Sequence, residues 1–427
     1  MSKRTALAIA TLVAAASALT GCTGGVAPSA SGDSNTITYL IAQPDVPENL
    51  EKMRQEIAGF EQSSGITVQL DVLPREQLHT VLQTQLRSGS GPDVFSYDTG
   101  PGFAGVLADA GLLHDLTDAY AQNDWQIYDW ARERVTFDGK VLGVPDQVET
   151  LGIFYNKELF AQHGITEPAN LAELDAAAAK LKAAGVIPIA FGDQEGWQGG
   201  HLLSMGLASR IGSQGMTDLV EGQVPWSSPE VVATISTFFD EFNRKGYLPE
   251  SATAIGYDNA NALFYSGQAA MNATGSWLVS DIINAADFEV GFIPFPGPDS
   301  RGIYAGGLGA GTFVSATTPA PDAAVRFLDW LQSPEHAVFD VTELQSIPAF
   351  PVDTSGVDAG PLFTQVLEQT SKMSSGSGDF GLNIDVLTTN QFNEAMEGGL
   401  QSVLTGDRSP QEVADALQAA FEQSTGS

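Results

Sequence analysis

From Thr36 onward, short apolar runs alternate with segments whose apolar residues recur every three or four positions. Ile37-Thr38-Tyr39-Leu40-Ile41 reads as a buried strand. Leu50, Met53, Ile57 and Phe60 then mark one face of a helix that Gly65 ends. Ile66 to Leu70 is the next strand, Leu78, Val81, Leu82 and Leu86 mark a second helix, and Gly91-Pro92-Asp93 turns into Val94-Phe95-Ser96-Tyr97. This βαβαβ order predicts a mostly parallel sheet covered by helices on both faces, an α/β fold. The alternation resumes with strands at Leu151–Tyr155 and Val186–Phe191. Between them, Asn170 and Glu173 have capping-box spacing for a helix through Lys182. Ser228-Pro229 and Ser409-Pro410 have the N-cap and N1 signature, opening helices with Val232, Ile235, Phe239 and Phe242 on one face and Val413, Leu417 and Phe421 on the other's. No internal repeat is visible.

At 427 residues the chain is too long for one ordinary core, so two lobes are expected. The first residues read as a targeting segment. Lys3 and Arg4 precede an apolar run from Ala6 to Leu19, too short to span a bilayer comfortably, and the run ends in Leu19-Thr20-Gly21-Cys22. That ending matches a bacterial lipobox, with residues 1–21 removed and Cys22 lipidated; an ordinary secretory cut near Ala16-Ser17-Ala18 is the alternative. Cys22 is the only cysteine, which excludes an intrachain disulfide and a cysteine-based metal site. Residues 22–35, rich in Gly, Ser, Ala and Pro, read as a flexible tether. The net charge of −33, or −35 once Lys3 and Arg4 are gone, disfavours nucleic acid and anionic lipid as partners.

Several motifs then agree in order with one family. Gly139-Lys140-Val141-Leu142-Gly143-Val144-Pro145 is followed by Leu151-Gly152-Ile153-Phe154-Tyr155-Asn156-Lys157-Glu158-Leu159-Phe160. Pro92-Asp93-Val94-Phe95, Ala270-Met271-Asn272-Ala273-Thr274-Gly275-Ser276-Trp277, Ala324 to Leu331 and Thr405-Gly406-Asp407-Arg408-Ser409-Pro410 fall in the same sequence. The set resembles the extracellular solute-binding proteins of carbohydrate ABC importers, which include maltose-binding protein. The resemblance covers nearly all of the chain after the tether. It implies two α/β lobes with a ligand cleft between them. The N-lobe would comprise residues 36–147 plus 306–346, the C-lobe residues 148–305 plus 347–427, with crossovers near Gln147-Val148, Gly306-Gly307 and Ser346-Pro348. It further implies a sugar ligand, the permease subunits of an ABC importer as partners, contact with the membrane through the lipid only, and a monomeric chain on the outer face of the cell membrane.

A sugar presents hydroxyls and apolar C–H faces, so its site needs carboxylates or amides together with aromatic rings. The resemblance points to Glu149, beside Asp146 and Gln147 at the first crossover, and to Glu195 with Trp197 and to Trp277 as hydrogen-bonding and stacking groups. Tyr97 and Asp98 follow the Pro-Asp-Val strand, although a turn role competes for Asp98. Asp45 and the pair Arg75-Glu76 follow the first two strands, Gly307 lies at the second crossover, and Phe392 falls near an aromatic position of the family's C-lobe. Trp330 reads as core, Trp125 and Trp130 as packed on the lobe surface, and Trp226 fits either role.

The five histidines lack metal-ligand spacing, and no phosphate-binding loop or Gly-x-Ser-x-Gly elbow is present. No cofactor, metal or catalytic residue is therefore expected, and the chain reads as a binder, not an enzyme. Two rivals stand beside a neutral sugar: a polyamine or other cationic or polyol ligand on the same fold, because the candidate loops offer mostly acids, and a secreted glycoside hydrolase, whose paired carboxylates look the same in sequence.

Overall fold

The computed structural model describes residues 35–44, 46–353, 360–375 and 379–426. Asp45, Cys22 and the targeting segment and tether through residue 34 lie outside the described residues. The first βαβαβ unit forms as the periodicity predicts. Strand β1 (Thr36–Ala42) leads into α1 (Pro47–Ser64), which starts with Pro47 in its first turn and ends at Gly65 with φ +71°. Strand β2 (Thr67–Leu73), α2 (Arg75–Ser88) and β3 (Val94–Asp98) follow. Strands β1 and β2 pair in parallel from Thr36 opposite Thr67, and β3 joins β1 in parallel on its other edge.

The chain then leaves this sheet. Strand β4 (Gly143–Pro145) belongs to the first sheet, and β5 (Val148–Asn156) belongs to a second. The second sheet gathers β6 (Ile187–Ala190), β7 (Ala269–Gly275), β8 (Val290–Ile293) and β9 (Tyr304–Leu308) around β5. Strand β10 (Ala310–Val314) returns to the first sheet, antiparallel to β3 and β4, and β11 (Phe380–Leu382) completes the second beside β9. The first sheet thus runs β2-β1-β3-β10-β4 and the second β11-β9-β5-β7-β6, with β8 on β5.

The second passage between the sheets falls at Gly309, since β9 carries Gly306 and Gly307 in the second sheet, with Gly307 opposite Glu149. A glycine suits this passage, because a Cβ at Gly309 would collide with the Glu149 carboxyl. The third passage runs beside the first, where Gln147 bridges Pro348 and the Val148 N–H donates to the Ile347 carbonyl at 2.7 Å.

Each sheet has its own core. Ile37, Leu40, Leu82, Phe95, Phe313 and Phe327 belong to the first, and Leu203, Trp226, Phe238, Phe239 and Phe392 to the second. Helix α3 (Trp197–Val220) runs through the second core, and α4 (Pro321–Leu331) and α5 (Pro334–Phe339) cover the first sheet. Helix α6 (Gly360–Ser374), α7 (Asn390–Thr405) and α8 (Pro410–Thr425) close the second half.

At the expected box only the first half forms: Asn170 accepts from the Glu173 N–H at 3.0 Å, but the Glu173 carboxylate turns back to the Ala169 N–H at 2.9 Å, whereas the Ser409 start closes into a full capping box with Glu412. Ser228 precedes its helix as expected, but its hydroxyl makes no cap bond. Trp226 is fully buried, and Trp125 is a buried residue whose Nε1 donates to Asp329 at 2.8 Å, so neither ring is a surface feature. Among the described residues no helix is long and apolar enough to cross a membrane.

Candidate functional site

Side chains from both sheets converge on a cavity of about 1010 Å³. The ends of β1 and β3, the start of α2 and the β4–β5 passage supply one wall. The starts of α3 and α7, the β7 end and the β11–α7 loop supply the other. Sites in α/β proteins gather at such strand ends because the helix N-termini and loops there leave polar groups free of the ladder.

On the first wall Asp98 receives the Arg75 guanidinium at 2.9 Å and His79 Nε2 at 2.7 Å. Burial alone would raise its carboxyl, but Arg75 and His79 overcome this and hold it well below the usual carboxylate range. Asp146, at the passage, accepts from Thr312 at 2.5 Å and Ser96 at 2.7 Å. Burial pushes it up to about 6 despite these two bonds. Gln147 spans the passages: its Oε1 accepts from Ser346 at 2.7 Å and its Nε2 lies 3.5 Å from Glu149. Glu149 is pushed up to about 8, chiefly by burial; Arg75 pulls it down, and Asp98 and Asp385 add to the rise.

The second wall is aromatic. Trp277 folds its ring back over Gly275, where a Cβ would overlap it, so the Gly275-Ser276-Trp277 motif has a steric basis. Its Nε1 donates to the Tyr257 hydroxyl at 2.8 Å, and that hydroxyl pairs with Thr274 at 2.7 Å. Trp197 lies 4.3 Å from Tyr257 between ring centroids, and His201, one turn along α3, lies 5.1 Å from Trp197 and 5.3 Å from Trp277. The Glu195 carboxylate accepts from the Tyr257 backbone N–H at 3.1 Å, fixing the loop ahead of Trp197.

Of the residues expected from the sequence, Glu76, Asp98, Asp146, Gln147, Glu149, Glu195, Trp197 and Trp277 line this cavity. Tyr97 is set behind it, edge-on to His79 at 5.2 Å. Gly307 stays within its strand, and Phe392 belongs to the second core against Trp226 at 4.6 Å. Phe392 repeats with Met396 and Leu400 on the buried face of α7, and that spacing takes it away from the cleft. Trp330 is only partly buried, and its ring lines the cavity as well as packing on the first core. Sequence reasoning missed His79, His201, Tyr257, Asp258, Asp385 and the opposite face of α7. That face was readable, because Asn390, Asn393, Glu394 and Glu397 recur at helical spacing and all reach the cavity.

Residues 43–338 match the family described as bacterial extracellular solute-binding protein. The chain is 26% identical to the multiple sugar-binding protein of Streptococcus mutans over 73% of its own length and 74% of the relative's. It is 27% identical to an ABC transporter extracellular-binding protein of Pyrococcus horikoshii, over 60% of its own length and 58% of that relative's. A solved chitin oligosaccharide binding protein shares the fold with a TM-score of 0.77 at 24% identity, covering 91% of this chain and 99% of that one.

Proposed function

The chain belongs to the bacterial extracellular solute-binding protein family, and from that premise we propose that it captures a sugar or oligosaccharide outside the cell for an ABC importer. The observation that carries this reading is the pairing of Trp197, Tyr257 and Trp277 on one wall with carboxylates and amides on both, within one cavity. Rings cover the C–H faces of a pyranose, and Glu149, Glu195, Asp98 and Gln147 accept or donate to its hydroxyls. The multiple sugar-binding relative supports the same ligand class.

The halves built on the first and second sheets act as two lobes that hinge at the passages near Gln147, Gly309 and Pro348. Asn49 on α1, donating to Ser280 at 3.1 Å across the cleft, is a latch of the closed form. The chain works as a monomer that hands its ligand to membrane permease subunits, and it releases the sugar unaltered. Lipidated Cys22 tethers it to the outer face of the membrane; Cys22→Ala is expected to free the protein from the membrane fraction.

A thermal-shift screen of the full chain against mono- and oligosaccharides tests the reading. A ligand at a hundred times its dissociation constant adds about 2.7 kcal/mol. A flat response to every saccharide, or release of hydrolysis products, defeats it.

A further inference from the structure

Carboxylates crowd the cavity beyond what the acidity of the whole chain explains. Eleven of its 47 lining residues are Asp or Glu, nearly twice the proportion of the chain, where 52 of 427 are acidic. The one Lys or Arg among the described lining residues is Arg75, and it already bonds Asp98 at 2.9 Å. Six of the eleven, Glu195, Asp258, Asp281, Asp385, Glu394 and Glu397, come from the second half. Glu397 sits against Gly196, the residue before Trp197, and its carboxyl is pushed up to about 7 by burial, with Asp385 and Glu394 adding repulsion. Asp385 reaches His201 Nε2 at 3.1 Å. Asp385 adds repulsion to both Glu397 and Glu149, and the cation that acts on Glu149 is Arg75, already bonded to Asp98.

An independent feature of the second wall calls for a hydrogen-bond partner. His201 is 6% exposed and lines the cavity, and its Nδ1 has no partner. Its Nε2 faces Asp385 at 3.1 Å and Asn383 at 3.4 Å, which leaves Nδ1 a buried polar atom with no partner among the described residues. Trp197 and Trp277 flank that ring. Aromatic faces beside carboxylates favour an ammonium group, which supplies charge and three donors at once. Among the described residues no three His, Cys, Asp or Glu side chains converge closely enough to hold a metal ion, so the wall is laid out for an extended organic cation.

We propose, resting on the sugar-capture reading above, that the cleft prefers a sugar or cyclitol bearing a protonated amine, its ring against Trp197 and Trp277 and its ammonium among Glu149, Asp385 and Glu397. A neutral sugar satisfies the rings and the hydroxyl acceptors but brings the crowded carboxyl groups no cation when the lobes shut. A linear polyamine neutralises the charge but leaves the aromatic faces without a ring to cover.

Calorimetry on the full chain with glucosamine oligosaccharides, their N-acetylated counterparts and neutral gluco-oligosaccharides of equal length tests this. The amine-bearing series is expected to bind about tenfold tighter or more. That advantage should shrink when salt rises from about 0.02 M to about 0.5 M. Glu397→Gln, close to isosteric at a site that disfavours charge, should reduce the preference severalfold while the melting curve shows a folded protein. Equal or weaker binding of the amine series, or a preference untouched by both salt and Glu397→Gln, overturns the amine assignment and leaves sugar capture standing. Spermidine binding as tightly as the amino sugars overturns the assignment by showing that charge alone suffices. Binding of no saccharide at all removes the sugar reading beneath it.

Discussion

On the first wall of the cleft Asp98 is held by Arg75 at 2.9 Å and His79 at 2.7 Å, and its ionised form is stabilised. Glu149, at the passage between the sheets, and Glu397, across the cleft, are driven toward the neutral acid chiefly by burial, and acidic neighbours add to the rise. Asp98 and these two glutamates carry the same group in opposite electrostatic states. The difference teaches where preorganisation ends: Asp98 is completed by the protein's own cations, whereas Glu149 and Glu397 have no bonded cation of their own. The rings divide in the same way. Trp226 is fully buried and serves the core, whereas Trp197 and Trp277 each pack one side on the second half and leave the rest to the cavity.

The sharpest break of that comparison is Trp277→Ala. Removing the ring should weaken sugar binding about 10- to 100-fold, or about 1–3 kcal/mol of lost apolar contact. Apo stability should fall far less than the about 3–5 kcal/mol expected for Trp226→Ala. Calorimetry beside apo melts reads both, and equal apo losses for the two variants would make Trp277 a core residue.

Arg75→Ala dismantles the first wall by leaving Asp98 with His79 alone. A cost of about 1 kcal/mol is expected, at the low end for a charged bond because the guanidinium is half exposed. Since Arg75 holds the Asp98 pKa down, its contribution is present above the ordinary carboxylate range and is lost as pH falls through the folded value. Denaturant melts at neutral pH and near pH 3 should therefore show the deficit shrinking with acid; a deficit independent of pH would detach it from Asp98.

Glu149→Gln does the reverse at the passage. The folded pKa is raised from 4.5 to about 8, so stability is fullest below 4.5 and falls as pH rises through 8. The amide removes that fall, and the apo variant should melt about 2–4 °C above the parent at pH 9 and level with it at pH 4. A parent melting temperature that is flat across this range would show that Glu149 is not destabilised by ionisation. The smallest effect belongs to Asn49→Ala, which deletes the contact with Ser280. It should weaken binding about threefold, mostly through faster release, as stopped-flow dissociation would read.

Much of this was legible along the chain. The βαβαβ start, the Gly65 stop and the Ser409-Pro410 helix start depend on residues a few positions apart, and they formed where the spacing placed them. Glu149, Glu195, Trp197 and Trp277 were legible through the family resemblance of the short motifs that carry them, and all four reach the cavity. Phe392 misled because one aromatic near a polar helix start says nothing of its direction; Met396 and Leu400 decide it.

The sequence by itself determined two α/β halves, an acidic chain and a set of strand-end loops fit for a polyol, because local periodicity and turn chemistry are written between near neighbours. Only the tertiary structure decided which polar groups meet. Arg75 and Asp98 are 23 residues apart, His201 and Asp385 184, and Asn49 and Ser280 231. Whether a carboxylate is charged depends on burial and on neighbours brought by other strands, and no spacing along the chain records either.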